Sequence, residues 1–166
     1  MLTQGQIAQY HEDGYIVPDF QMPPEVLESI KARHAALLAG HPEFRDYCPA
    51  LFDHDIGFAD YGANREILDM VEQLIGGDIA LWNMSFFAKP AGNGKRTPWH
   101  QDGEYWPIRP LATCTAWLAV DDSTVENGCL RVHLLKVWSL LKSRGDSVGQ
   151  TWGFATTRRW NRSTAH

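Results

Sequence analysis

TPWHQDGEYWPIRP, residues 97–110, sets His100 and Asp102 one residue apart among aromatics and prolines. On a strand, residues i and i+2 project from the same face. An imidazole and a carboxylate placed that way can grip one metal ion side by side. With one distant His they make the facial triad of non-haem Fe(II) sites, which leaves coordination positions open. The same spacing also arises on an ordinary polar strand. A second pair, His11–Asp13, has it too. That pair ends a helix-patterned stretch, where i and i+2 do not face each other, so His11 reads as a surface or cap residue. Spacing alone leaves both readings open for His100–Asp102.

Outward from that stretch, the patterning is of strands. IALWNMSFFAK, beginning at Ile79, reads as a long half-buried strand, KPAGNGKR as a turn and TPWHQD as a short strand. ATCTAWLAVDD, beginning at Ala112, is rich in β-branched and aromatic residues and reads as a strong strand. STVENG follows as a turn, and CLRV begins another strand. Earlier in the chain the patterning is helical. LTQGQIAQYHEDG reads as a short helix stopped by Gly14, and YIVPDF as a short strand. PPEVLESIKARHAALLAG and NREILDMVEQLIGG each carry an apolar stripe of helical spacing. Residues 41–61 read as loop. Helices first, then antiparallel strands with short turns, predict an α+β fold with a mainly β core, a sandwich or barrel.

The chain has 166 residues, 44% of them hydrophobic, which is enough for one domain with a core of its own. A net charge of −5 gives no sign of a nucleic-acid or acidic-membrane partner. No apolar run is long enough to cross a bilayer. The polar start lacks the pattern of a signal peptide. Cys48, Cys114 and Cys129 are odd in number and lack metal-type spacing, which suits free thiols in a reducing cytoplasm. The net charge hides an asymmetry: residues 1–132 carry 9 Lys/Arg against 19 Asp/Glu, whereas residues 133–166 carry 6 Lys/Arg and only Asp146. The tail holds three of the seven tryptophans. It reads as a basic helix over about 134–143, followed by a stretch with no clear apolar period.

Three segments in order resemble the phytanoyl-CoA dioxygenase family of Fe(II)/2-oxoglutarate oxygenases. FFAKPAGNGKRTPWHQDGEYWPIRP is similar to the family's strand, Lys-Pro turn and His-Gln-Asp segment. CTAWLAVDDSTVENGCLRV is similar to its next strand, with its Trp and Asn-Gly-Cys-Leu turn. LTQGQIAQYHEDGYIV looks like its first helix and strand. The resemblance covers residues 1–132 as the N-terminal part of such a domain. It implies a double-stranded β-helix, or jelly roll, backed by N-terminal helices. It further implies Fe(II) held by His100 and Asp102, 2-oxoglutarate as co-substrate, and Trp117 lining the co-substrate pocket. Met84 or Ser85 lies near another such position. The expected activity is hydroxylation of a small molecule, coupled to oxidative decarboxylation of 2-oxoglutarate.

The neighbouring residues have plainer readings beside these. Trp117 sits mid-strand and could be ordinary core. Trp99, Tyr105 and Trp106 could wall a substrate pocket or simply pack. Arg109 could attract an anion, with a solvated or structural role as the alternative. Lys89 reads as structural or surface, Asn127-Gly128 as a tight turn, Asp121 and Asp122 as a solvated strand end, and Cys114 and Cys129 as small core residues.

The family pattern breaks after NGCLRV. A Pro-Gly-Ser-His turn should follow, then strands bearing the distal His ligand and an Arg for the far carboxylate of 2-oxoglutarate. This chain reads HLLKVWSLLKSRGDSVGQ instead. His133 and His166 are poor substitutes for the distal ligand, as are Arg158, Arg159 and Arg162 for the anion anchor. Residues 133–166 are therefore expected to be an atypical basic tail, a shifted reading frame or an aberrant terminus, and the jelly roll to be incomplete; whether the chain is active as written is left open. The alternatives are a short protein that completes its site as a homo-oligomer, a non-catalytic jelly-roll remnant or interaction module, and a cupin-type protein with another metal.

Overall fold

The computed structural model describes residues 1–98, 100, 106–108 and 112–132, together with the backbone of 151–156. Its elements run α1 (Gln4–Asp13), β1 (Tyr15–Ile16), α2 (Pro24–Gly40), β2 (Tyr47–Cys48), α3 (Leu51–His54), α4 (Ala59–Gly62), α5 (Arg65–Ile75), β3 (Phe86–Phe87), β4 (Thr113–Leu118) and β5 (Thr151–Thr156). The result is α+β with few strands.

Local chemistry sets the helix ends. Thr3 and Gln6 form a reciprocal capping box at α1, and Gly14 closes it in the left-handed conformation at φ 85°. Pro24 opens α2, where its missing N–H costs no helical bond. The Asn64 side-chain oxygen accepts the Ile67 N–H at 3.1 Å and starts α5.

Two apolar clusters hold the helices together. One gathers Leu2, Tyr10, Ile16, Phe20, Met22, Leu27, Ile67, Met70 and Leu74 between α1, α2 and α5. Burying aliphatic side chains such as Ile16 and Leu27 stabilises by about 1.5–3 kcal/mol each. Gln73 secures the N-terminus beside this cluster, accepting from the Leu2 N–H at 2.7 Å and donating to its carbonyl at 3.1 Å. The second cluster joins Leu37 of α2 to Cys48, Leu51 and Phe58, with Phe86 against it. Its seam is an ion pair: one Arg33 nitrogen reaches both Asp55 carboxylate oxygens, at 2.7 and 2.6 Å, and the Gly57 N–H donates to the same carboxylate at 2.9 Å. The Arg33 hydrogen bond, then the Gly57 N–H, hold Asp55 below its usual carboxylate range.

Residues 41–61, expected as loop, wind instead into α3, the start of α4 and two 3-10 turns at Pro42–Phe44 and Ile56–Phe58, with β2 between them. The strands also differ from the reading by pattern. The pair β2–β3 is antiparallel, with Tyr47 opposite Phe87 and Cys48 opposite Phe86. The other sheet runs β1-β5-β4 with both pairings parallel. Parallel neighbours need a long connection, and the chain from Ala119 to Gln150 supplies it between β4 and β5. The long strand expected from Ile79 pairs only at Phe86–Phe87. The stretch without apolar period still yields β5. The expected helix at about 134–143 lies outside the described residues.

Candidate functional site

Two limbs carry the sequence motif. The first leaves β3, where the Ala88 N–H donating to the Asp46 carbonyl at 3.0 Å extends the β2–β3 pairing by one bond. The chain then turns at Ala91–Asn93, with Gly92 at a φ of 82°, and the Gly94 N–H closes the turn on the Pro90 carbonyl at 2.9 Å. A positive φ at that point favours glycine. Arg45 donates to the Asn93 side-chain oxygen at 2.5 Å, and Lys89 donates to the Gly128 carbonyl at 2.7 Å. From Gly94 to Pro98 the strip is irregular and exposed, and it leads to His100.

His100 is exposed, and its Nδ1 lies 2.8 Å from the Pro98 carbonyl oxygen. A carbonyl only accepts, so in this contact Nδ1 is the donor. Asp102, Trp99, Tyr105 and Arg109 lie outside the described residues, as do His133, His166, Arg158, Arg159 and Arg162. Among the described residues, no three His, Cys, Asp or Glu side chains come together as a metal-binding group.

The second limb is β4. Cys114 and Leu118 face the first cluster. Burial raises the Cys114 thiol and the Tyr10 hydroxyl beside it above their ordinary values. Trp117 falls out of phase with these two, on the other face, and is half-buried. Beyond the strand, Asp121 pairs with Lys31 of α2 at 3.1 Å, so this expected solvated end has a partner. The Asn127 side chain accepts from the Thr124 N–H at 2.8 Å and donates to the Asp122 carbonyl at 2.5 Å. The expected Asn127-Gly128 turn is formed, with Gly128 at φ 82°.

Sequence reasoning overlooked His34 and the partner of Lys89. The His34 ring stacks on Phe86 with centroids 4.1 Å apart and an interplanar angle of 13°. Its Nε2 is buried without a hydrogen-bond partner among the described residues. Burial lowers its pKa, with the Asp121 carboxylate opposing. His34 lies inside a helical pattern, and nothing in local spacing marks it. The three cysteines are free thiols, Cys48 buried and the others half-buried. No helix of the described residues is long and apolar enough to cross a membrane.

A family model described as phytanoyl-CoA dioxygenase (PhyH) matches residues 10–133. The chain is 34% identical over 82 residues to a phytanoyl-CoA dioxygenase domain-containing protein 1 homolog of Dictyostelium discoideum, covering 49% of this chain and 29% of that one. It is 35% identical over 102 residues to a probable phytanoyl-CoA dioxygenase of Caenorhabditis elegans, covering 54% and 33%. It is 36% identical over 85 residues to the peroxisomal phytanoyl-CoA dioxygenase of Bos taurus, covering 49% and 25%. The chain thus spans a quarter to a third of the length of these relatives. No solved structure matches.

Proposed function

Because this chain belongs to the phytanoyl-CoA dioxygenase family, we propose that it carries the metal-binding part of an Fe(II)/2-oxoglutarate-dependent hydroxylase acting on a small molecule. The observation that carries this reading is the family match across residues 10–133, which takes in both His100 and Asp102. The donor chemistry of His100 fits Fe(II). Its Nδ1 hydrogen bond to the Pro98 carbonyl would orient the ring, as an outer hydrogen bond does for a ligating His. Fe(II) with 2-oxoglutarate would supply oxidative decarboxylation coupled to hydroxylation of a C–H bond.

The chain's residues divide the remaining work. His100 Nε2 and the Asp102 carboxylate would hold one side of the metal. Trp117, on the β4 face turned from the first cluster, would border the co-substrate and limit water. In this reading the jelly roll of the family is the scaffold, and β5, from residues 151–156, runs between β1 and β4. Two protein ligands hold Fe(II) weakly, and the distal His of the family pattern has no counterpart among residues 1–132. A non-catalytic jelly-roll remnant is the second reading, prompted by the break in the family pattern after NGCLRV. Succinate release separates the two. Purified chain given Fe(II), ascorbate and 2-oxoglutarate should release succinate, and His100→Ala should abolish it. Equal background release from both proteins would favour the remnant.

A further inference from the structure

We propose that Lys89 is a positioning residue whose ammonium ties the strip leading to His100 to the turn that follows the Trp117 strand. This rests on the metal-site reading above and extends it to a residue outside the ligand set.

Lys89 stands directly after the β3 extension, where the chain leaves its backbone pairing, and its Nζ donates to the Gly128 carbonyl at 2.7 Å. Lys89 and Gly128 lie 39 residues apart, so the bond spans the two motif limbs. The acceptor end is firmly built: Asn127 braces the turn through its bonds with Thr124 and Asp122, and the Cys129 N–H donates back to the Thr124 carbonyl at 2.8 Å. The contact is also shaped. A Cβ built on Gly128 would stand 3.1 Å from Lys89 Cδ and 3.3 Å from its Nζ, so the lysine stem lies across a glycine. A second side-chain tether, Arg45 to Asn93, holds the turn at Ala91–Asn93. From Gly94 to Pro98 the exposed strip lacks strand pairing of its own. Its position therefore depends on the ties at its base. A metal ligand must be held to within about half an ångström, and loss of an outer-shell support costs about 10–100-fold in metal affinity.

Four variants and two readouts test this. Lys89→Met removes the donor, Lys89→Arg keeps one, Lys95→Met removes a neighbouring charge from the same strip, and His100→Ala removes the ligand. The first readout is backbone amide exchange in the metal-free chain, at Ala88 and Gly94. Lys89→Met should speed it about tenfold, with α5 unchanged, and Lys89→Arg and Lys95→Met should match the wild type. The second is anaerobic Fe(II) affinity with 2-oxoglutarate present, which Lys89→Met alone of the lysine variants should weaken about tenfold. Unchanged exchange in Lys89→Met would overturn the proposal, as would faster exchange with wild-type Fe(II) affinity. A wild type that binds Fe(II) no better than His100→Ala would sink the metal reading instead, and exchange would still decide whether Lys89 holds the strip.

Discussion

The helical part of the chain and the strip from Phe86 to Val132 are held by different forces. In the first, Tyr10, Ile16, Leu51 and Phe58 are almost wholly shut away from water, and helix ends are closed by side chains or glycine. In the second, β4 pairs with β5 and sets Cys114 and Leu118 against the first cluster, but Phe87 is 62% exposed, Val125 and Leu130 are exposed, and single polar ties such as Lys89–Gly128 and Arg45–Asn93 hold the turns. Burial is cooperative and non-directional, whereas a hydrogen bond contributes about 0.5–1.5 kcal/mol and acts at one point. Stability therefore belongs to the helices, and the candidate chemistry sits on the less buried limbs they support.

The sharpest way to break that contrast is Phe58→Ala. Phe58 is 1% exposed, and its ring meets Tyr61, Phe86 and the Arg33 guanidinium. Denaturant unfolding should show a loss of about 3–5 kcal/mol. A loss below about 1 kcal/mol would mean that the second cluster contributes little. Asn64→Ala should come next, costing about 1 kcal/mol through the orphaned Ile67 N–H, with the α5 N-terminus exchanging faster.

The smallest effect is a pH dependence that joins the two regions. His34 of α2 stacks on Phe86 of β3, and burial holds its pKa below the ordinary 6.5. The unfolded chain then binds the proton more readily than the folded one, so protonation favours unfolding. The His34 contribution is complete above the ordinary value and is lost as pH falls through that value toward the folded pKa. Lys31 and Asp121 face the same side of α2, and Asp121 offsets part of the shift. The wild type should show a slope in Tm just below neutral pH that His34→Gln reduces; identical slopes would remove His34 from the account.

These regions also differ in how openly the sequence announces them. Thr3, Gly14, Pro24 and Asn64 mark helix ends by their own local chemistry, and α1, α2 and α5 fall where the pattern puts them. Residues 41–61 were opaque because turns of three or four residues carry no period, and because their order depends on Arg33, 22 residues from Asp55. Strand content was readable at β4, with its β-branched and aromatic run, but its parallel partner was not, since pairing with a strand more than thirty residues onward leaves no local trace. The His100–Asp102 motif was visible from spacing and resemblance. The Pro98 carbonyl that accepts from His100 Nδ1, the His34 stack and the Gly128 end of the Lys89 tie depend on backbone geometry and tertiary contact.

The most direct measurement is anaerobic calorimetric titration of Fe(II) into the chain with 2-oxoglutarate present, comparing the wild type with His100→Ala, Asp102→Ala and Asp13→Ala. Asp13 belongs to the other His-x-Asp pair, at the end of α1. The account predicts that His100→Ala and Asp102→Ala each weaken Fe(II) binding by at least tenfold, while Asp13→Ala leaves it unchanged. Equal affinity in all four proteins would contradict the assignment of the metal to residues 100 and 102.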